Sequence, residues 1–275
     1  MLLVSTAPDR GEIMTAFWAE PDFDAHELVQ LVHDRASGLT AIIAVHSTHL
    51  GPSAGGTRFW HYNDPAGAMR DALRLSRGMS YKNAMAGLPM GGGKAVILAD
   101  EQRIKTPEML AAFGDAVEGL GGRYVTAEDV GISEADMVAV SQRTAHVSGL
   151  PVAGEGSAGG DPGPFTAYGI YLGIKAAVRH KLGKDSLAGV HVAVQGTGSV
   201  GGGVARLLAR ALHGMGCYEI SLGDTIGVGT PRKARAMLQA VAAEVPMQAL
   251  AVHFHDTYGQ AVANIASCVE AGVRV

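Results

Sequence analysis

Two lysines in one glycine-rich segment are the side chains of this sequence best suited to acid–base chemistry. Lys82 and Lys94 lie among small and apolar residues in the segment 78–94, and three consecutive glycines precede Lys94. Burial favours the neutral amine of a lysine, and a second cation nearby lowers its pKa further. A lysine of this kind can act as a general base near neutral pH. The glycines would let a substrate approach the backbone. On spacing alone, two surface lysines explain the pattern equally well.

A pair of carboxylates, Glu128 and Asp129, follows a short β-rich run at 124–127. In α/β proteins the carboxyl ends of strands are the usual place for chemistry. Taken alone, however, this pair is more typical of a solvated turn than of a catalytic pair.

A second glycine motif predicts a dinucleotide-binding turn. The apolar run 190–195 predicts a strand, the motif Gly-x-Gly-x-x-Gly follows it directly, and helical spacing follows the motif. The glycines allow a tight turn, the approach of a pyrophosphate and close helix packing, and the helix N-terminus offers free N–H groups. An acidic residue about 20 positions later should bind the ribose, and Asp224 is the candidate, although it comes somewhat late. The predicted cofactor-binding residues of the turn are Gly196, Thr197, Gly198, Ser199, Val200 and Gly201.

Alternating strand and helix signals are expected to position these residues. Capping residues followed by proline, Asp64-Pro65, Thr106-Pro107 and Thr230-Pro231, predict helix starts, and Ser133 predicts another. Apolar runs and helical spacing predict strands at 40–47, 124–127, 190–195, 218–223 and 249–254, and helices at 164–180, 196–213, 231–244 and 260–271. The pattern favours an α/β fold with a parallel sheet in its C-terminal part. The stretch 149–164, rich in Gly, Pro and Ser, predicts a linker or a cofactor-facing loop.

The composition excludes several classes of protein. With 47% apolar and 17% charged residues, the chain is not disordered, and its net charge of −4 does not indicate a nucleic-acid partner. Two cysteines exclude a disulfide scaffold, and no Cys-x-x-Cys pair is present. Neither a signal peptide nor a membrane-spanning apolar run is evident, which predicts a cytoplasmic protein without a membrane partner.

Several motifs together resemble a known enzyme family. They are Gly55–Arg58, Asp71–Leu75, the two-lysine segment, 122–131 and Thr166–Gly169. Around them, residues 41–173 closely resemble the leucine/phenylalanine/valine branch of the Glu/Leu/Phe/Val amino-acid dehydrogenase family, most of all the leucine dehydrogenases. The resemblance continues to about Arg210.

This resemblance implies roles for individual residues. Lys82 would bind the substrate α-carboxylate, Lys94 would activate water against an imino-acid intermediate, and Asp129 would carry a proton to and from the substrate amine. The resemblance also places Gly55, Gly56 and Met79 near the substrate. It places Thr166 at the nicotinamide end of NAD. The implied reaction converts an L-amino acid, by default a branched-chain one, with NAD and water into a 2-oxo acid, ammonium and NADH. A homo-oligomer is implied as well, whereas a divalent metal is not expected.

The C-terminal quarter resembles a different family. The stretches 214–231 and 253–261 are similar to hydroxymethylglutaryl-CoA lyase, a TIM barrel that uses a divalent cation. His253 and His255 match two of its metal ligands, and residues two apart on a strand point the same way. About two β-α units cannot close an eight-unit barrel, and an unoccupied histidine pair remains the simpler interpretation.

The two resemblances predict a junction near residues 210–212 and two domains. Residues 1–150 would form an α/β amino-acid-dehydrogenase substrate domain that carries the catalytic groups. Residues 151–275 would form a truncated Rossmann-like parallel-sheet domain, in which the lyase-like part is 211–275. There the strand 218–223 would pair in parallel with 190–195, and apolar residues of the last helix would be partly exposed. Three functions stay open: an amino-acid dehydrogenase, a carbon–carbon lyase fragment, or an inactive binding and assembly module.

Overall fold

The computed structural model describes residues 17–151, 159–190, 192, 194, 198–224 and 227–275. The chain divides into two compact units, Met1–Gly160 and Asp161–Val275. Among the described helices, none combines the length and apolar character needed to cross a bilayer.

The first unit is built on a mixed five-stranded sheet. Its strands are β1 (Leu28–Asp34), β2 (Leu39–Ser47), β3 (Ser53–Trp60), β4 (Gly91–Leu98) and β5 (Tyr124–Glu128), and its helices are α1 (Pro65–Met85), α2 (Pro107–Glu118) and α3 (Glu134–Ser141). The strand order is β1-β2-β4-β3-β5. Strand β2 runs antiparallel to β1 and β4, whereas β3 runs parallel to β4 and β5. Strand β4 is therefore central, with a partner on each side.

Helix starts in this unit follow the local capping signals. The Asp64 side chain accepts a hydrogen bond from the backbone of Ala66, and Thr106 caps α2 in the same way. Ser133 and Asp136 form a reciprocal capping box at α3. These three predicted starts are confirmed.

Both faces of the sheet are buried. On one face, Phe113 of α2 and Met137 of α3 pack with Tyr124, all fully buried. On the other face, Ala68 and Ala72 of α1 pack against β2 and β4. A strand covered on both faces can hold a side chain in one fixed position, which matters for the chemistry below.

The three glycines before Lys94 correct one expectation. Gly91, Gly92 and Gly93 are buried residues of β4 and not a loop open to substrate. A Cβ on Gly91 would overlap the Ser47 carbonyl, and one on Gly92 would overlap α1. A Cβ on Gly93 would lie 2.6 Å from the Tyr124 ring. The absent side chains let neighbouring elements pack directly on the strand. Strands β1, β3 and β4 were not predicted from the sequence.

The second unit contains four helices and a parallel strand pair among its described residues. They are α4 (Gly163–Leu182), α5 (Ser199–Gly214), β6 (Ile220–Asp224), α6 (Pro231–Ala242), β7 (Leu250–Phe254) and α7 (Ala261–Glu270). Strands β6 and β7 pair in parallel. Of the predicted strand 190–195, only residues 190, 192 and 194 are described, so its pairing with 218–223 lies outside the described residues.

Helices α4 and α5 start side by side. A Cβ on Gly203 would lie 2.7 Å from the Cβ of Ala167, and a Cβ on Gly163 would overlap Ser199. The two contacts lie four positions apart along each helix and in the same order, so the helices run parallel with adjacent N-termini. Gly203, for which no role was predicted, permits this close approach.

An apolar stripe on α7 remains exposed, as expected. Val262 is 77% exposed, Ile265 41% and Val269 55%. Their spacing places them on one helix face.

Candidate active site

Lys94 is the one buried lysine among the described residues. Its residue is 6% exposed, and its amine donates a hydrogen bond to Oδ2 of Asp129. Burial lowers the pKa of Lys94, and the charges of Arg58 and Lys82 lower it further against the opposing effect of Asp129. The amine is therefore shifted toward its neutral, basic form.

Asp129 directly follows β5, which lies next to β3 in the sheet. Burial alone would raise the pKa of Asp129, but Lys94, the backbone of Val130 and Arg58 hold it below its usual range. The carboxyl group is thus ionised, and it forms part of the site instead of the solvated turn that the sequence alone favoured.

An arginine and a second aspartate extend this ion pair. Arg58 Nε donates to Asp129 Oδ2 at 3.0 Å, and its Nη1 donates to Asp71 Oδ2 at 2.7 Å. Tyr62 donates its hydroxyl to the same Asp71 oxygen at 2.9 Å, and Arg74 donates to Oδ1 at 3.0 Å. Arg58 and Asp71 lie within motifs of the family resemblance, but no role in the site was predicted for either. Their spacing in the chain carries no signal that they meet.

The predicted substrate residues lie around the same ion pair. Lys82 is exposed in the last turn of α1, and its charge acts on Lys94. The Cγ of Met79 lies 3.2 Å from where a Cβ on Gly55 would be. A Cβ on Gly56 would lie 2.9 Å from that of Asp129. Both glycines are therefore required by strand packing, and Gly56 also leaves room beside the carboxylate.

The predicted cofactor residues belong to the second unit. Gly196 and Thr197 lie outside the described residues, whereas Gly198 to Gly201 form the start of α5. The position of a Cβ on Gly198 faces open space. Thr166 is exposed in the first turn of α4, beside the start of α5. The structure thus brings together the described part of the turn and the helix end that carries Thr166.

Asp224 ends β6, as predicted, but its carboxylate already has partners. It accepts hydrogen bonds from the backbone N–H groups of Gly227 at 3.1 Å and Gly229 at 2.6 Å. The side chain therefore closes the loop after β6, and a ribose hydroxyl would have to share it.

The two predicted metal-ligating histidines, His253 and His255, are exposed, and their ring centroids are 5.1 Å apart. No cluster of three potential metal-ligating side chains occurs in the part of the chain that the structure describes.

The mixed five-stranded sheet, the buried Lys94–Asp129 pair and the helix-led parallel strand pair define an α/β protein of two units. Comparison with known proteins gives the particular relatives. Residues 26–146 match the family described as Glu/Leu/Phe/Val dehydrogenase, dimerisation domain. Residues 181–275 match the family described as HMGL-like, and this match begins upstream of the junction predicted near residue 210. Both predicted resemblances are confirmed.

Leucine dehydrogenase of Geobacillus stearothermophilus is 51% identical over 195 residues, which is 71% of this chain and 52% of that enzyme. Valine dehydrogenase of Streptomyces virginiae is 50% identical over 196 residues, covering 71% of this chain and 54% of the enzyme. The chain therefore spans about half the length of the curated relatives that it matches. The crystal structure of L-tryptophan dehydrogenase from Nostoc punctiforme superposes with a TM-score of 0.56 at 37% identity, covering 85% of this chain and 61% of that one.

Proposed function

We propose that the protein is an NAD-dependent dehydrogenase that converts a branched-chain or other apolar L-amino acid into its 2-oxo acid, ammonium and NADH. The observation that carries this proposal is the buried Lys94, whose amine is shifted toward the basic form and bonded to Asp129. Oxidation at the Cα of an amino acid gives an imino acid, which water must then attack. A neutral amine held in a fixed position is suited to remove the proton from that water.

The other groups of the site have complementary roles in this proposal. The hydride removed from the substrate Cα would pass to the nicotinamide of NAD, the electron acceptor that the bound cofactor would supply. Lys82 binds the α-carboxylate, since a cation at the exposed end of α1 can meet an anion that enters from solvent. Asp129 accepts a proton from the substrate ammonium before oxidation and returns one to the departing amine. Lys94 takes one proton from the attacking water and releases it to solvent. It then takes the second proton from the resulting hydroxyl as the carbonyl forms and ammonia leaves, and the ammonia is protonated in solution.

The described part of the second unit fits a dinucleotide phosphate. The first turn of α5 follows Gly198, which carries no side chain to obstruct an anion that approaches the N–H groups of the helix N-terminus. The Thr166 hydroxyl lies nearby, in the first turn of the parallel helix α4. These groups would hold the pyrophosphate and the nicotinamide end, and Asp224 would contact the ribose.

The relatives support the same activity. Leucine, valine and L-tryptophan dehydrogenases all act on apolar amino acids, which is why an apolar substrate is proposed here. The match of residues 26–146 to a dimerisation domain supports a homo-oligomer.

The test is reduction of NAD, followed as NADH absorbance, with a panel of L-amino acids. We expect turnover with branched-chain substrates and a loss of about 10²- to 10⁴-fold in Lys94→Ala, because no other neutral amine would activate water. Lys82→Ala should mainly raise KM. Lys105→Ala is the matched control, since Lys105 also pairs with an aspartate, Asp136, in the same unit. A Lys94→Ala variant with wild-type turnover would refute the proposal.

A lyase is the second candidate, because residues 181–275 match the HMGL-like family. Metal-dependent release of acetoacetate from hydroxymethylglutaryl-CoA, lost in His255→Ala, would support it. We expect none, because two histidines leave most of a cation's coordination to water and supply no acid. If neither reaction occurs, an inactive binding and assembly module is the remaining interpretation.

A further inference from the structure

Asp129 is held by two cations of different character. Lys94 and Arg58 both donate to its Oδ2. The proposed chemistry requires Lys94 to alternate between its charged and neutral forms. Arg58 keeps its charge throughout, because the neighbouring carboxylates raise its pKa despite the opposing effect of burial. Arg58 is therefore the constant partner of the Asp129 carboxylate.

Arg58 is itself anchored at its other end. Its Nη1 donates to Asp71 Oδ2, and Asp71 projects from α1. The Tyr62 hydroxyl and Arg74 complete the hydrogen bonds of Asp71. The Asp71 side chain is 19% exposed and that of Arg74 is 58% exposed, so the chain of charges leads from the buried site to the surface. Because the guanidinium is rigid and bonded at two nitrogens, its position is fixed between Asp129, after β5, and Asp71 on α1.

We propose that Arg58, anchored by Asp71, is a positioning residue that keeps the Asp129 carboxylate ionised and oriented while Lys94 changes its protonation state. This inference deepens the proposed function and depends on it for its kinetic test. Arg58 acts through Asp129, and Asp71 acts through Arg58.

The arrangement also influences the base. The charged groups that face Lys94 are Asp129 after β5, Arg58 on β3 and Lys82 on α1. Arg58 opposes protonation of Lys94 directly, and it competes with Lys94 for Oδ2 of Asp129. Loss of Arg58 should therefore raise the pKa of Lys94 as well as that of Asp129.

The kinetic test compares pH profiles of deamination. In Arg58→Met we expect kcat to fall about 10- to 100-fold with little change in KM, because a misoriented proton carrier slows chemistry without weakening substrate binding. The limb of the profile on which kcat rises with pH should move to higher pH by about one pH unit, because Lys94 would lose its proton at a higher pH. Arg58→Lys keeps the charge but cannot reach both carboxylates. It should therefore return the rising limb close to its wild-type pH while kcat recovers less. Asp71→Asn should give a smaller loss in the same direction.

Arg70→Met is the matched control, because Arg70 lies on α1 next to Asp71 but pairs with Asp64 at the surface. It should leave kcat and the pH profile unchanged. A loss of kcat in Arg58→Met without movement of the rising limb would overturn the proposal, since it would indicate structural damage alone.

A titration independent of turnover separates this inference from the proposed function. Carbon-13 NMR follows the titration of the aspartate carboxyl groups, and the Asp129 signal is assigned by its loss in Asp129→Asn. The pH midpoint of the Asp129 titration is then compared between the wild type and Arg58→Met. We expect the midpoint to rise in Arg58→Met. An unchanged midpoint overturns the positioning role even in an active enzyme, whereas a chain that reduces no NAD overturns only the proposed function.

Discussion

The two units bury their chains to very different degrees. The first surrounds a five-stranded sheet with packed side chains on both faces, and its buried Lys94 is paired with a carboxylate. The second, as described, has a two-stranded sheet, and only two of the five residues of its strand β6 are buried, whereas seven of the eight residues of β4 are. Deep strand burial determines where reacting groups can be held in fixed geometry. A buried ion pair such as Lys94–Asp129 needs surroundings that cannot relax, and the first unit supplies them.

The largest effect should come from filling the packed strand of the first unit. A Cβ on Gly93 would lie 2.6 Å from the Tyr124 ring and 2.8 Å from Ser53 Oγ. Gly93→Ala should therefore destabilise the first unit by about 1–3 kcal/mol, because well-packed neighbours have to move. Hydrogen exchange with peptide-level mass spectrometry would measure the change separately in each unit.

Gly169→Ala on α4 is the counterpart in the second unit. Nothing lies within 4 Å of its Cβ position, so the helix should gain about 0.5–1 kcal/mol from the better helix former. If both alanines shifted stability in the same direction, the contrast in packing between the units would be wrong.

Acid should weaken the first unit through one buried histidine. His26 Nδ1 accepts the Asp24 backbone N–H at 3.1 Å, so Nε2 carries the proton and donates to Leu73 O at 3.0 Å. Desolvation lowers the pKa of His26 below its ordinary value. The neutral form therefore stabilises the fold fully above about pH 6.5, and this contribution is lost as the pH falls toward the lowered folded pKa.

Urea unfolding between pH 7.5 and pH 5 would check this expectation. His26→Gln, which cannot titrate, should be less stable at pH 7.5 but should lose less stability on acidification. An equal pH slope in the variant and the wild type would exclude His26 as the cause.

The smallest change in stability should come from the exposed stripe of α7. Replacing Val262, Ile265 and Val269 together by serine should alter the free energy of unfolding by about 0.5 kcal/mol per site or less, because none is in the core. It should reduce concentration-dependent light scattering, since exposed apolar patches favour association. Leu238→Ser, at a fully buried position, is the destabilising control. Unchanged scattering would show that the stripe does not cause association.

Local signals predicted most helices and several strands of this fold. Helix starts such as Asp64-Pro65 depend on neighbours in the chain, so the sequence is sufficient to locate them. Strand β4 was missed because Gly-Gly-Gly has the composition of a loop. It becomes a strand only because Ser47, α1 and Tyr124 occupy the space around its glycines. Such packing is nonlocal and leaves no pattern in the segment itself.

The candidate site was predictable only in part, for the same reason. Lys94 and Asp129 were proposed from their residue types and from the family resemblance, and the structure joins them. The contact of Arg58 with Asp129 spans 71 positions of the chain and depends on β3 lying beside β5. A sequence without its sheet order cannot reveal that contact.

The placement of the two lysines also sets how fast each can move. Lys94 belongs to a central strand hydrogen-bonded on both sides, so its backbone is released only when much of the sheet opens. Lys82 lies in the last turn of α1, three residues before the helix ends at Met85, where fraying is frequent. The proposed base thus keeps its place over long times, while the proposed carboxylate-binding lysine can reorient within a single encounter with a substrate. Binding of the substrate carboxylate and the proton-transfer step would then proceed on separate timescales within one small site.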